Sequence, residues 1–105
     1  MSIFDIFITY VSWNKGGKIR PILIIEQQET VIFVFKITTQ YENKSQAICE
    51  KYFKINDWRQ AGFDRQSYVD TNNLRQLPSA ALTDKSVIGR LTESDIHRFI
   101  EFLSK

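Results

Sequence analysis

An arginine and two threonines stand at the ends of two apolar segments that follow one another in the chain. Arg20 precedes the apolar segment 22–25, and Thr38 and Thr39 follow the apolar segment 31–37. An antiparallel pairing of these segments would bring the arginine and the hydroxyls to the same rim of a sheet. A guanidinium keeps its proton and, beside a hydroxyl, suits the binding of a phosphate as charge develops on its oxygens. The spacing therefore indicates a candidate phosphate-binding group at this rim, and the alternative is an ordinary surface pair that binds no phosphate.

The segments that must position this group have the composition of core strands. Both are dense in β-branched and aromatic residues, and a tight polar connection over 27–30 joins them. Because proline cannot donate to a strand ladder, Pro21 fits the first residue of a strand or an edge position. Arg20 is then predicted to lie just outside that strand, in extended conformation and with its side chain free.

The rest of the chain is predicted to be mostly short strands. Alternating apolar residues predict strands over 3–11, 47–55, 67–71, 74–77 and 86–91. Two consecutive glycines predict a mobile loop over 12–18, and Gly62 is placed to end a helical turn over 58–61. Several short strands so close together indicate a mainly β fold, a small antiparallel barrel in one domain over residues 1–105.

A C-terminal amphipathic helix is the clearest single element. Thr92 is suited to cap it, with Asp95 three residues on in a variant of the capping box. An apolar stripe follows at helical spacing and is predicted to pack on the barrel: Ile96, Phe99, Ile100 and Leu103.

Composition excludes several classes of protein. The chain has no tract of about 18 apolar residues and no basic stretch followed by an apolar one at its start, so we expect no membrane span, no secretory signal and a cytoplasmic location. Cys49 is the single cysteine, which rules out an internal disulfide and a cysteine-rich zinc site. No spacing of His, Asp and Glu resembles a ligand set, so no metal and no cofactor are expected.

Three cations near Gly16-Gly17 form the group of charges that best fits contact with a nucleic acid. A net charge of +2 is too small to indicate nucleic-acid binding from composition, but Lys15, Lys18 and Arg20 fall within six residues. Trp13 lies in the same predicted loop, where its ring could stack on a base, whereas Trp58 and Tyr68 fit core positions better. The alternative for each cation is an ordinary solvated surface.

The order and spacing of five motifs resemble the MazF/PemK family of toxins from bacterial type II toxin–antitoxin systems. The likeness runs nearly end to end. It rests on Asp5-Ile6-Phe7-Ile8, the glycine-rich segment leading into Arg20-Pro21-Ile22-Leu23-Ile24-Ile25, Ile37-Thr38-Thr39-Gln40, Asp57-Trp58-Arg59-Gln60-Ala61-Gly62-Phe63 followed by Ser67-Tyr68-Val69, and Ile88-Gly89-Arg90-Leu91-Thr92-Glu93-Ser94-Asp95-Ile96.

The resemblance implies an SH3-like or PemK-like barrel, a homodimer, and a metal-independent, sequence-selective endoribonuclease that cuts single-stranded RNA. In such enzymes the ribose 2′-hydroxyl attacks the adjacent phosphate, and a cognate antitoxin blocks the groove. By similarity Arg20 stabilises the phosphate and Thr38 positions it, with Thr39 able to take that role instead. These three residues are the predicted catalytic residues.

The sequence departs from some relatives at the strand predicted over 67–71. Those relatives carry a basic residue and then an Asp two positions on, which share the acid–base work, whereas Asp70 and Asn72 stand here. Either Arg20 and Thr38 transfer protons with water, or the activity is altered. Asp70 and Asn72 are taken as candidate RNA contacts. The rival interpretation is a non-catalytic binding module of the same fold, either an RNA-binding relative or a topoisomerase poison like the CcdB toxins.

Overall fold

Antiparallel strands dominate the computed structural model, which describes residues 1–13, 16–42 and 44–105. The strands are β1 Asp5–Trp13, β2 Gly16–Gln27, β3 Val31–Thr38, β4 Tyr52–Lys54, β5 Tyr68–Pro78 and β6 Gly89–Arg90, with the helices α1 Gln46–Cys49 and α2 Glu93–Leu103 and a 3₁₀ turn over Ser79–Leu82. The strands form one antiparallel sheet in the order β4-β5-β3-β2-β1-β6, which curls into a half-barrel. The predicted mainly β fold with a C-terminal helix is confirmed.

Irregular pairing at two places accompanies the curl of the sheet. The β2–β3 register shifts between Ile24 and Glu26, and the β3–β5 register shifts between Val34 and Lys36. Extra residues in one strand of a pair bend that strand and increase its twist. The central strands therefore wrap around a core instead of lying flat.

Alternation along the central strands buries apolar side chains on both faces of the sheet. One cluster centres on Phe99 of α2, whose ring meets Phe53 at a centroid distance of 4.9 Å and Phe35 at 6.4 Å, both edge to face. The other cluster lies under the 3₁₀ turn and consists of Phe7, Val11, Ile22, Ile24, Ile32, Val34 and Leu82. Because both faces are covered, β2 reads as a nearly continuous apolar run in the sequence.

Helix α2 begins where the sequence predicts, but it is rotated relative to the predicted stripe. The Thr92 side chain accepts a hydrogen bond from the backbone N–H of Asp95, as expected of the N-cap. Ile96 and Phe99 are buried, whereas Ile100 and Leu103 are exposed, which corrects half of the stripe. The buried side of the helix includes Asp95, because its carboxylate binds the backbone at 56–57. In the described ranges, neither helix has the length and apolar character needed to cross a membrane.

The β1–β2 hairpin is longer than predicted, which corrects the predicted mobile loop over 12–18. Strand β1 continues to Trp13, paired with Gly16, and Lys18 pairs with Val11. A ribbon of two strands therefore extends beyond the β2–β3 pairing. Residues 14 and 15 lie outside the described residues.

Four other predicted strands differ in extent. The segment predicted as strand over 47–55 contains α1, capped by Ser45, and only Tyr52–Lys54 is strand. The two short strands predicted over 67–71 and 74–77 are one strand, β5, which continues through the irregular pairing with β3. The last strand is limited to Gly89–Arg90, because only these two residues pair with β1.

Candidate functional site

All three predicted catalytic residues line one concavity of about 290 Å³, called here the Arg20 concavity. Arg20 comes from β2, Thr38 is the last residue of β3, and Thr39 follows it. The remaining walls are formed by Pro21, Ile37, Phe63, Asp64, Arg65 and Ser67. The two strands therefore bring together the arginine and the hydroxyls, as the antiparallel pairing predicts.

The end of the β2–β3 ladder places Arg20 beside Thr38. The last pair of the ladder is Ile22 with Lys36, and two steps further in the same register Arg20 stands across from Thr38. Pro21, which has no N–H to donate, lies between that last pair and Arg20. Pro21 does not start the strand, however, and Arg20 is not outside it, because both residues pair with β1, opposite Ile8 and Thr9.

The charge around the Arg20 concavity favours an anion. In the described part of the chain, no carboxylate lies within ion-pairing distance of Arg20. Arg65 adds a second guanidinium, and its Nε lies 3.9 Å from Oδ1 of Asp64, with both side chains exposed. An exposed pair of this kind holds its partners weakly. Two guanidinium groups and one carboxylate thus line a space that is large enough for a phosphate group.

The two threonines differ in how firmly they are held. Thr38 is buried within β3, opposite Tyr68, and its Oγ1 accepts a hydrogen bond of 3.0 Å from the backbone N–H of Gln40. Since a hydroxyl has one donor and two acceptor positions, this contact leaves the Thr38 hydrogen free to donate to a phosphate oxygen. Thr39 follows the strand and is exposed. Thr38 is therefore the better oriented of the two donors.

The segment 63–67 forms the wall facing the threonines, and a preceding turn holds it in place. In that turn the N–H of Ala61 donates to the carbonyl of Asp57, and Gly62 has the positive φ of 107° that the sequence predicts. The buried Asp95 carboxylate accepts hydrogen bonds from the backbone N–H groups of Asn56 and Asp57, at 3.3 and 2.8 Å. Thus α2, although distant from the concavity, fixes the start of its wall.

Sequence reasoning gives no role to Asp64, Arg65 or Ser67, although all three line the concavity. Arg65 reads in the sequence as one more surface cation. Ser67 is fully buried, and its Oγ donates to the carbonyl of Arg65 at 3.1 Å, which helps to set the course of this segment. In the sequence, only Gly62 points to this segment, because it predicts a reversal of the chain just before Asp64.

The predicted RNA contacts of the hairpin lie on the β1–β2 ribbon. Lys18 is exposed on β2, and Trp13 is the last residue of β1, opposite Gly16. Lys15 lies outside the described residues. Lys18 is not among the residues that line the Arg20 concavity. The contact of these three residues with RNA stays a prediction.

Asp70 and Asn72 bind each other on β5, away from the walls of the concavity. The backbone N–H and the side-chain amide of Asn72 both donate to Oδ1 of Asp70, at 2.9 and 2.8 Å. Lys36 lies 3.6 Å from the other carboxylate oxygen. This carboxylate is therefore occupied by protein partners, and its predicted contact with RNA stays a prediction.

Side chains of the metal-ligating types do not gather in the described ranges, where no three His, Cys, Asp or Glu residues are arranged to hold an ion. His97, the single histidine, is exposed on α2 and is absent from the walls of the Arg20 concavity.

Comparison with models of known protein families and with curated proteins finds no match for this chain.

Proposed function

We propose that this protein is a metal-independent endoribonuclease that cleaves single-stranded RNA selectively, the toxin of a type II toxin–antitoxin pair. The observation that supports this most is the convergence of Arg20 and Thr38 on one concavity, with no carboxylate paired to that arginine in the described residues. A free guanidinium beside a hydroxyl donor can stabilise the negative charge that develops on the oxygens of a reacting phosphate.

The proposed reaction is an in-line attack within the RNA chain. The ribose 2′-oxygen forms a bond to the adjacent phosphorus, and the bond from phosphorus to the 5′-oxygen of the next nucleotide breaks. The products are a 2′,3′-cyclic phosphate and a free 5′-hydroxyl, so no protein nucleophile is needed. Arg20 and Thr38 donate to the non-bridging oxygens, on which negative charge grows in the pentavalent transition state.

Two proton transfers accompany this attack, one from the 2′-hydroxyl and one to the leaving 5′-oxygen. Asp64 is the one carboxylate among the residues that line the concavity, and in the proposal it accepts the first proton, directly or through water. Arg65 beside it adds positive charge near the phosphate. The second proton comes from water or from the protonated carboxyl group.

The proposal includes a homodimer and an acidic antitoxin, both in the cytoplasm, where the RNA substrate is. The exposed side chains of Tyr10 and Ile19 pair across β1 and β2, and the exposed Ile8 lies opposite the half-buried Pro21, which supports a contact between two copies on this face. The guanidinium groups of Arg20 and Arg65 support the binding of an acidic segment over the concavity, where it would exclude RNA.

Incubation of the pure protein with a long RNA, with and without a chelator, tests the proposal. We expect cuts that resist the chelator and that end in cyclic phosphate and 5′-hydroxyl. Arg20→Ala should reduce the rate by roughly 10²–10³ while the variant keeps its fold. Arg75→Ala, which also removes an arginine from a strand, is the matched control.

Two results would reject the proposal: cuts that vanish with the chelator, or an Arg20→Ala variant that cleaves at the parent rate. RNA binding without any cleavage would favour the rival binding module instead. In that case the loss of Arg20 and Thr38 should weaken binding rather than catalysis.

A further inference from the structure

A second concavity, of about 340 Å³, adjoins the Arg20 concavity and is called here the tyrosine concavity. Thr39 lines both spaces, so they meet at the end of β3. The remaining walls of the second space are formed by Gln40, Tyr41, Glu42, Gln66 and Tyr68. Its volume is in the range of small-molecule pockets, and its aromatic and amide walls are the kind that hold a nucleobase.

Stacked tyrosines form the apolar side of this space. The rings of Tyr41 and Tyr68 stack with a centroid distance of 4.5 Å and an interplanar angle of 18°, and the buried Tyr52 supports both at 6.1 and 6.4 Å. Tyr41 keeps 38% of its surface exposed. The thiol of Cys49 donates to the carbonyl of Tyr41, which ties this loop to α1. An aromatic surface is therefore held in place before any ligand arrives.

Gln66 and Glu42 contribute acceptors to the polar side of the tyrosine concavity. The Gln66 amide nitrogen donates to the carbonyls of Ile55 and Ser67, at 2.7 and 3.0 Å. Because both partners are carbonyls, the amide oxygen must be the atom that remains for a ligand. Glu42 contributes a carboxylate, which accepts only. Its charge is close enough to Tyr68 to help raise the pKa of that phenol, after burial and the neighbouring Tyr41.

Acceptors in this arrangement select one base by its hydrogen-bonding edge. Guanine presents two adjacent donors, N1–H and the N2 amino group, which can bind both oxygens of one carboxylate. Adenine and cytosine each place an acceptor nitrogen beside their amino group, and uracil has a single N–H between two carbonyls. A carboxylate therefore meets a repelling lone pair on every base except guanine.

We propose that the tyrosine concavity is a guanine-binding subsite, in which Tyr41 stacks on the base and Glu42 receives its Watson–Crick edge. The inference rests on the proposed function, because the base belongs to a nucleotide that flanks the scissile phosphate in the Arg20 concavity. It assigns a source for the sequence selectivity of cleavage: RNA is cut where guanine occupies one flanking position.

Binding of short RNAs tests this subsite separately from cleavage. The probes are single-stranded oligonucleotides that carry one variable base in a uridine context and a 2′-deoxy sugar at the cut position, so that they bind without reacting. We expect the guanine probe to bind roughly 5- to 100-fold more tightly than the other three, as one bidentate base contact provides. Fluorescence anisotropy measures the dissociation constants.

Variants distinguish the two parts of the subsite. Glu42→Gln should remove most of the guanine preference, whereas Glu50→Gln removes the same charge from the exposed end of α1 and should leave the preference unchanged. Tyr41→Ala should weaken binding of every probe by roughly 5- to 100-fold. Tyr41→Leu keeps an apolar side chain without a stacking face and should show the same loss, which separates stacking from any local loss of fold.

The outcomes of these binding experiments test the guanine subsite and the proposed nuclease activity separately. Equal binding of the four probes overturns the guanine subsite, even if Arg20-dependent cleavage is found. Guanine-selective binding that depends on Glu42 supports the subsite, even if no RNA is cut and the proposed nuclease activity fails. The absence of binding to all four probes overturns both.

Discussion

Asp95 of α2 accepts a hydrogen bond of 2.8 Å from the backbone N–H of Asp57, so that one buried carboxylate joins the C-terminal helix to the turn before the Arg20 concavity. The same carboxylate accepts from Nη1 of Arg98 at 2.6 Å, and the Asp57 side chain in turn accepts from the Thr92 hydroxyl at 2.6 Å. Helix and turn are therefore linked from both sides.

Asp95→Ala should destabilise the protein by about 3 kcal/mol, because it leaves two backbone donors and the Arg98 guanidinium without their acceptor. Glu93→Ala is the matched control, since it removes an exposed carboxylate from the same first turn and should cost about 0.5 kcal/mol. Urea denaturation measures both. Equal losses for the two variants would show that Asp95 does not have this structural role.

The two threonines can be separated by removing one hydroxyl at a time. Thr38→Val should reduce RNA cleavage by roughly 10², because it deletes the oriented donor, whereas Thr39→Val should have a smaller effect. Thr38→Ser keeps the hydroxyl and the acceptor for the Gln40 N–H, and it should retain most of the activity. Single-turnover rates give the comparison. A larger loss from Thr39→Val would move the catalytic role to that residue.

Local signals explain why parts of the fold were predictable. The start of α2 follows from Thr92 and Asp95, which are three residues apart and make the expected cap. The placement of Arg20 and Thr38 at the same end of the β2–β3 pair follows from the short connection between these strands, which leaves an antiparallel hairpin as the simplest arrangement. Both predictions depend on residues that are close in sequence.

Long-range contacts explain where the predictions from the sequence were wrong or incomplete. The rotation of α2, which exposes Ile100, depends on the bond from Asp95 to a turn 38 residues away. The same turn directs the following segment to the Arg20 concavity, where Arg65 forms part of the wall. Neither periodicity nor composition around Arg65 carries that information, so its place beside Arg20 could not be read from the sequence.

Close backbone contact between β6 and the 57–62 turn predicts that Gly89 does not tolerate a side chain. A Cβ at this position would overlap the carbonyl oxygen of Ala61, and one at Gly62 would meet the carbonyl oxygen of Ile88. We expect Gly89→Ala to destabilise the protein by about 2 kcal/mol, because backbone must move to make room. Thermal unfolding measures this loss. Ser94→Ala, on the exposed side of α2, should change the stability by under about 0.5 kcal/mol, and an equally small effect at Gly89 would contradict the contact.

Alkaline pH should weaken the fold through Tyr52. Burial raises the pKa of this phenol above its ordinary value of 10.0, and the negative charge of Asp70 adds to the effect. The folded state therefore favours the neutral phenol more than the unfolded state does. The stabilising contribution of Tyr52 is complete below pH 10 and is lost as the pH rises through the raised pKa of the folded state. Tyr52→Phe should show a shallower fall in stability between about pH 9 and pH 11. Urea denaturation across this range gives the comparison, and parallel curves for the two proteins would contradict the raised pKa.

The exposed apolar face of the β1–β2 ribbon predicts self-association. Ile19 is 70% exposed and pairs with the exposed Tyr10, whereas Leu74 is 55% exposed on β5, elsewhere in the sheet. Ile19→Lys should therefore convert a dimer into a monomer, because a charge buried at the contact is costly, while Leu74→Lys should leave the dimer intact. Light scattering coupled to size-exclusion chromatography measures the mass, and circular dichroism checks the fold of both variants. A parent protein that is monomeric at high concentration, or a dimer that both variants disrupt equally, would exclude this face as the dimer contact.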